Sequence, residues 1–206
     1  MKTLVINLFL CLFLIGKSFG QQNILENASF ETDQTGCGQV PTDWYDCSDS
    51  PVNNSPVDIQ PGCYGVYKPA ADGYNYLSMV VRDDGTKESI GQFLPENLLK
   101  DSFYILTISV CRSEVFLGYS KLIGKEIQLS TPVVLNIWGG NQSCDHKQLL
   151  ARTELVTQMD WTQYEFDLLP ETDISEFIIE ACFNESSRIY YNGNILIDNI
   201  ILTKIP

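Results

Sequence analysis

The sequence predicts an all-β protein in which two antiparallel sheets pack face to face, a β-sandwich of the jelly-roll type. Apolar and polar residues alternate over short stretches such as residues 163–168, which is typical of a half-buried strand. Turn-forming pairs, including Asp84-Gly85 and Asn192-Gly193, separate these stretches. After residue 20 no segment shows a long helical period, so the crossover helices that a parallel sheet requires are not expected.

The same pattern places short strands along most of the chain. A helical turn is expected at residues 95–100, because proline suits the first position of a helix. Residues 32–62 and 113–131 are rich in turn-forming or polar residues and are predicted to be long connections. The predicted strands are residues 64–68, 74–81, 88–94, 103–112, 132–138, 148–156, 163–168, 175–183 and 193–201.

The last predicted strand is apolar except for an acid near its middle. In an extended strand Leu196, Asp198 and Ile200 would point to one face. An acid among buried apolar neighbours needs a hydrogen bond, an opposite charge or a metal ion. We expect the partner of this strand in residues 23–31, so that the two ends of the processed chain meet in one sheet.

Residues 1–20 have the features of a secretory signal peptide, with a basic start, an apolar run and small residues before the cleavage point. We therefore predict cleavage before Gln21 and a single jelly-roll domain over residues 21–206. The protein is expected to be exported, either to the periplasm or to the cell surface and the surrounding medium.

Removing Lys2 and Lys17 with the signal peptide takes two positive charges from a chain of net charge −13, which leaves −15. So acidic a surface repels nucleic acid, and a nucleic-acid partner is not expected. No segment after residue 20 is long and apolar enough to span a membrane.

The cysteines that remain after residue 20 are even in number, which in an exported chain favours disulfides. They form no C-x-x-C pair, and His146 is the only histidine, so a zinc site is not expected. The sequence does not choose a pairing, and Cys111 lies in an apolar strand pattern that would also suit a buried thiol. The six cysteines are Cys37, Cys47, Cys63, Cys111, Cys144 and Cys182.

Several short blocks together resemble the galactose-binding-like jelly rolls, which include many carbohydrate-binding modules. The first block is Asn-Ala-Ser-Phe-Glu at residues 27–31, followed by Pro41 and Trp44. Taken together, the blocks are similar to a jelly-roll domain of exported Bacteroidetes proteins that accompanies gliding-motility and adhesin modules. Cys63-Tyr64 departs from the aromatic pair expected there. The further blocks are residues 56–62, 71–73, 76–77, 81–86 with 88, 91–92, 137–141 with 144, 149–150, 161 with 164, 180–181 and 193–198.

The resemblance implies a structural calcium ion between the N-terminal segment and the last strand. Glu31 and Asp198 match the acids of that site. Calcium requires several oxygen ligands, and two carboxylates would supply the charged part. The alternative is that these carboxylates accept hydrogen bonds from backbone N–H groups or pair with a base such as Lys204.

A sugar-binding surface is predicted from the aromatic and polar side chains, because sugar rings stack on exposed aromatics and hydrogen-bond to polar groups. Burial is the alternative for each aromatic, and Trp44 and Trp161 are expected to anchor the core. Residues 82–88 are expected to form a hairpin turn in which Arg82 pairs with a nearby acid. The glycan candidates are Tyr45, Tyr64, Tyr67, Arg82, Arg112, Asn136, Trp138 and Asn141.

The leading hypothesis is an exported, non-catalytic module that binds glycan. The alternative is a structural or adhesion protein whose surface docks onto another envelope protein. A small glycan hydrolase is a remoter possibility that would need two carboxylates, or His146, facing one another in a cleft.

Overall fold

A computed structural model describes residues 22–48 and 56–205, and the predicted signal peptide lies outside the described residues. The described chain forms strands joined by turns and loops, with one 3₁₀ turn at Cys63–Gly65. The strands are β1 Tyr45–Asp46, β2 Asp58–Gln60, β3 Tyr76–Val81, β4 Ser89–Leu98, β5 Tyr104–Cys111, β6 Leu117–Ser120, β7 Lys125–Gln128, β8 Val134–Gly140, β9 Gln148–Arg152, β10 Thr162–Leu168, β11 Ile174–Cys182 and β12 Gly193–Lys204.

Two five-stranded sheets confirm the predicted sandwich. The first sheet has the order β10-β5-β12-β3-β2, and the second has the order β1-β4-β11-β8-β9. Neighbouring strands within both sheets are antiparallel. The strands β6 and β7 form a separate hairpin. No helix among the described residues is long and apolar enough to cross a bilayer.

The main core lies between the two sheets and is built from alternate residues of their strands. On β8, Leu135 and Ile137 are fully buried in this core, whereas Trp138 faces away from it. The more apolar row of this strand therefore faces inward, as the sequence predicts. Trp44 is also buried, in contact with Phe30 and Phe177.

A second, smaller apolar cluster covers the outer face of the first sheet. Tyr76 and Val80 of β3 and Leu196 of β12 point outward into it. Phe116 and Leu129, which flank the β6–β7 hairpin, pack over them. The hairpin and the 3₁₀ turn therefore form a third layer on this side of the sandwich.

The strand β12 does not keep one alternation along its length. Its pairing with β5 shifts between Asp198 and Ile201, and Asn199 has a positive φ of 48°. Such a bulge adds one residue and moves the following side chains to the opposite face. The expectation that Leu196, Asp198 and Ile200 share a face is therefore wrong, because Ile200 lies in the main core and Leu196 in the outer cluster.

The two ends of the described chain lie side by side, as predicted. Ile24 N donates to Leu202 O at 2.9 Å, and Ile200 N donates to Ala28 O at 3.0 Å. The Asn23 side chain also bonds the backbone of Ile200 and Leu202. Residues 23–31 make these contacts without forming a regular strand, and the sheet neighbours of β12 are β5 and β3. The two ends are therefore neighbours, but the prediction that they pair in one sheet is wrong.

Several of the predicted elements are wrong. Residues 113–131, predicted to be a connection, contain the strands β6 and β7, and residues 32–62, predicted to be a loop, contain the short strands β1 and β2. Residues 95–98 continue β4 instead of starting a helical turn, and Leu98 pairs with Ile174 across the sheet. Residues 64–68 are not a strand, because Tyr64 and Gly65 have positive φ values of 52° and 82° that an extended strand does not allow.

Candidate functional site

A cavity lies beneath the β6–β7 hairpin, on the outer face of the first sheet. We call it the hairpin cavity. It has a volume of about 470 Å³ and lies between the hairpin, the 3₁₀ turn and strands β2 and β3. Its aromatic and charged lining residues are Asp58, Tyr64, Arg82, Glu88, Phe116, Tyr119 and Lys121.

One wall of the hairpin cavity is aromatic. The rings of Tyr64 and Phe116 are stacked, with centroids 5.6 Å apart and planes 15° from parallel. Phe116 is buried, whereas Tyr64 is 46% exposed and Tyr119 is 58% exposed. The left-handed backbone of the 3₁₀ turn holds Tyr64 over Phe116 instead of in a strand. This arrangement leaves aromatic surface open to a ligand.

The floor of the cavity carries a buried ion pair. Arg82 donates to Glu88 Oε1, and Val80 N donates to Glu88 Oε2 at 2.9 Å. Glu88 is 1% exposed, and this burial raises its pKa to about 8 although Arg82 acts in the opposite direction. The turn that the sequence predicts at residues 82–88 is present, since Gly85 N donates to Arg82 O at 2.9 Å.

A second buried carboxylate, Asp58 on β2, lines the same cavity. It accepts hydrogen bonds from Gly38 N at 2.8 Å and from Ser78 Oγ at 3.3 Å. Burial raises the pKa of Asp58 to about 6. The sequence predicts Glu88 as one of two possible partners of Arg82, which the hydrogen bond between them confirms, but neither Asp58 nor Glu88 was among the glycan candidates. An acid inside a strand or a turn gives no sequence signal that it will reach a cavity.

A second depression, the Tyr67 cavity, lies on the other side of the 3₁₀ turn. It has a volume of about 420 Å³ and is lined by Tyr67, Lys68, Arg112, Val115 and Asp160 among others. Tyr67 is 76% exposed. Arg112 is held by hydrogen bonds to Thr157 O and Ser130 O, both 3.0 Å long.

The remaining glycan candidates lie on or near the second sheet, away from both cavities. Trp138 Nε1 donates to Glu180 Oε2 at 2.9 Å, and the edge of the Trp138 ring meets His146. Lys87 also donates to Glu180. Burial opposes ionisation of Glu180, but the hydrogen bonds from Lys87 and Cys182 hold its pKa below the usual value. The N–H group of Trp138 is therefore already hydrogen-bonded within the protein.

Tyr45 and Asn141 are likewise engaged by the protein, and Asn136 is buried. The Tyr45 hydroxyl donates to Glu176, a fully buried carboxylate. The side-chain oxygen of Asn141 accepts from Ser175 N at 3.1 Å. Asn136 is 7% exposed and donates to Cys182 Sγ. The structure thus divides the eight candidates among three places, and only Tyr64 with Arg82, and Tyr67 with Arg112, share a cavity.

The two predicted calcium ligands hold the same loop by accepting hydrogen bonds from its backbone. Asp198 Oδ2 accepts from Ala71 N at 2.7 Å and from Asp72 N at 2.9 Å. Glu31 Oε1 accepts from Tyr74 N at 2.8 Å and from Asn75 N at 3.0 Å. This arrangement matches the backbone-donor alternative. Among the described residues, the groups close enough to share an ion include neither Glu31 nor Asp198.

Calcium stays a prediction, and melting curves test it. If calcium joins these residues, adding a chelator lowers the melting temperature of the native protein, and Asp198→Ala removes most of that sensitivity. A melting curve that the chelator leaves unchanged would contradict the calcium site.

Asp198→Ala is expected to destabilise the protein whether or not a chelator is present. The change removes the acceptor of Ala71 N, Asp72 N and Asn199 N, and Asp198 is fully buried. Hydrogen bonds to a charged group contribute about 1.5–3 kcal/mol each, and the exposed Ala71 and Asp72 can bond to water instead, so we expect a loss of about 3 kcal/mol in denaturant unfolding. Asp173→Ala, which removes a single acceptor at an exposed site, is the control. Equal losses in the two variants would contradict this role for Asp198.

Two disulfides tie loops near these surfaces. Cys37 pairs with Cys63 at the edge of the hairpin cavity, and Cys47 pairs with Cys144 across the second sheet. Cys111 is a buried free thiol, which is the alternative that its strand pattern suggested, and Cys182 is a second one. Burial raises the pKa of Cys111 to about 12, so this thiol is inert at neutral pH.

Comparisons by sequence give no family for this chain. No family model matches it, and no curated protein sequence does. The sequence resemblance to exported Bacteroidetes domains therefore has no matching family model behind it.

Solved structures match the chain in fold. The Stig cyclase Fisc from Fischerella sp. TAU superposes with a TM-score of 0.53 at 15% identity, over 89% of this chain and 97% of its own. The K2 adhesin domain of Lys-gingipain gives a TM-score of 0.52 at 12% identity, over 85% of this chain and 96% of that domain. The arabinose-bound arabinofuranosidase MgGH51 gives a TM-score of 0.54 at 12% identity over 88% of this chain. The matched part is only 26% of that enzyme.

Carbohydrate-binding modules superpose more loosely. A xylan-binding CBM22 domain from Paenibacillus barcinonensis gives a TM-score of 0.45, and a family 16 module gives 0.41. At such low identities the likeness shows the fold alone. The chain is a two-sheet β-sandwich similar in structure to the K2 adhesin domain of Lys-gingipain. Its two disulfides suit an oxidising compartment outside the cytoplasm.

Proposed function

We propose that this protein is an exported, non-catalytic module that binds carbohydrate in the hairpin cavity, at the cell surface or outside the cell. The observation that carries the proposal is the placement of the exposed Tyr64 ring beside the Arg82–Glu88 pair in one cavity. Both Tyr64 and Arg82 are residues that the sequence predicts for a sugar site.

The two parts of the cavity suit the two surfaces of a sugar ring. A pyranose presents a C–H face, which packs on an aromatic ring such as Tyr64, and a rim of hydroxyl groups. Arg82 and Lys121 supply donors at that rim, and Asp58 supplies a carboxylate acceptor.

The proposal is non-catalytic although Asp58 and Glu88 share the cavity. Both carboxylates accept hydrogen bonds from backbone N–H groups of the protein, and Glu88 also pairs with Arg82. These contacts give each acid a structural role. Incubation with a bound oligosaccharide is expected to release no reducing ends, and a measurable release that Glu88→Gln abolishes would overturn this part of the proposal.

Glycan-array binding followed by calorimetry tests the proposed site. We expect Tyr64→Ala to weaken binding of the recognised glycan by about tenfold or more, because a central aromatic contact is typically a binding hot spot. Tyr74→Ala is the matched control, since Tyr74 is 84% exposed and lines neither cavity. Absence of glycan binding by the folded native protein, or equal affinity in Tyr64→Ala, would contradict the site.

A protein partner is the second candidate, and the tip of the β6–β7 hairpin favours it. Leu122 is 72% exposed and Ile123 is 58% exposed, side by side at the turn. Exposed neighbouring aliphatic residues mark contact surfaces in many proteins. Under this alternative, the native protein captures one envelope protein in a pull-down, and added sugar does not change the amount captured. The double variant Leu122→Ser with Ile123→Ser should no longer capture that protein.

A further inference from the structure

The hairpin cavity and the Tyr67 cavity are separated by a single thin wall. Tyr64 lines the first and Tyr67 the second, and three residues of chain span at most about 11 Å. The wall also contains residues 115–117, in which Leu117 lines the hairpin cavity and Val115 lines the Tyr67 cavity. The two cavities therefore lie back to back across residues 64–67 and 115–117.

The middle of this wall contains a glycine. Gly65 has a positive φ of 82°, and a Cβ atom there would lie 3.1 Å from Val115 Cγ1 and 3.7 Å from Leu117 Cδ1. The side chains of Val115 and Leu117 therefore pack directly against the Gly65 backbone and form the apolar part of the wall. Val115 is 44% exposed and offers an apolar surface beside the crossing.

The two cavities repeat the same pair of groups. The hairpin cavity offers Tyr64 with Arg82, and the Tyr67 cavity offers Tyr67 with Arg112. Arg112 uses Nε and Nη1 for its bonds to backbone carbonyls, and its Nη2 has no hydrogen-bond partner in the described part of the chain. Each side of the wall thus combines an exposed ring with a guanidinium group.

Each cavity is lined by equal numbers of basic and acidic side chains. The hairpin cavity has Arg82 and Lys121 against Asp58 and Glu88. The Tyr67 cavity has Lys68 and Arg112 against Glu114 and Asp160. The chain as a whole has a net charge of −13, which opposes the approach of a polyanion.

We propose that the glycan is a neutral, extended chain that crosses the wall and occupies both cavities together. This inference rests on the proposed function and adds a second subsite, a minimum length and a charge class to it. A sugar unit in the hairpin cavity packs on Tyr64, and a unit further along the chain packs on Tyr67. Joining two weak subsites in one ligand raises affinity without any new kind of contact.

Calorimetry with oligosaccharide ladders of one to six units tests the proposal. The neutral probes are β-1,4-linked xylose, β-1,4-linked glucose and β-1,3-linked glucose, and the acidic probe is a galacturonic acid ladder. For the neutral ladder that binds, we expect the native affinity to rise by about tenfold or more between the shortest binding unit and the hexamer. Tyr67→Ala should remove that rise and leave the shortest unit bound as before. Tyr64→Ala should weaken every length.

The outcomes separate this inference from the proposed function. If Tyr64→Ala weakens binding but Tyr67→Ala changes the affinity of no length, the second subsite is wrong and the hairpin cavity stands. If the galacturonic acid ladder binds best, the neutral charge class is wrong. If the folded native protein binds none of the ladders and no glycan on an array, the proposed function fails and this inference fails with it. Tyr67 is largely exposed, so its replacement should leave the fold intact.

Discussion

Replacing both Cys47 and Cys144 with serine is expected to lower the free energy of unfolding by about 4.7 kcal/mol, the largest effect among the changes considered. This disulfide joins residues that are 97 positions apart in the sequence. A disulfide stabilises the folded protein mainly by restricting the unfolded chain, and this stabilisation grows with the length of the loop that it closes. The Cys47–Cys144 bond also holds the loop whose Cys144 N and Asp145 N donate to the buried Glu176. Urea unfolding of the native and double-serine proteins measures the loss.

The other disulfide provides the matched control. Cys37 and Cys63 are separated by only 26 residues, for which the same loop model gives about 3.5 kcal/mol. The double-serine variant of that pair should therefore lose less stability than the variant of Cys47 and Cys144. An equal or larger loss in the control pair would contradict this account of the long loop.

Arg82→Met is expected to cost about 3–5 kcal/mol at pH 10, because it leaves the ionised, buried Glu88 without its cationic partner. The cost should depend on pH. The pKa of Glu88 is about 8 in the folded protein against 4.5 in the reference state, so its contribution to stability is present below about 4.5 and is lost as pH rises through about 8. Without Arg82 the folded pKa rises further, so this contribution continues to be lost above about pH 8 in the variant only, and the cost should be larger at pH 10 than at pH 6.

Guanidinium unfolding at pH 6 and pH 10 measures this difference. Arg188→Met makes the same chemical change on an exposed side chain and should shift stability by less than about 0.5 kcal/mol at both pH values. A cost for Arg82→Met that is small, or that is the same at both pH values, would show that the ion pair does not govern the floor of the cavity.

The fold was predictable because burial on one face leaves a clear signal in the sequence. The alternation at residues 163–168 corresponds to β10, and the apolar row of β8 faces the main core. The bulge at Asp198 was not predictable from alternation, because one inserted residue reverses the faces and leaves the composition unchanged. The turn at residues 63–65 was also missed, since Tyr64 is not a residue that usually signals a positive φ.

The site was only partly predictable, because a cavity depends on which distant segments meet. Tyr64 and Arg82 were candidates for their residue type, and the structure brings them together. Trp138 and Tyr45 were equally good candidates, but their polar atoms are bonded to Glu180 and Glu176. Asp58 and Glu88 were missed as parts of the site, because their place in the cavity follows from packing of the hairpin over β2 and β3.

A crystal structure of residues 21–206 with the recognised glycan tests the central claim most directly. The account predicts sugar density in the hairpin cavity, with a ring packed on Tyr64 and a hydroxyl group within hydrogen-bonding distance of Arg82. Sugar density on the outer face of the second sheet, against Trp138, with the hairpin cavity free of sugar, would contradict it.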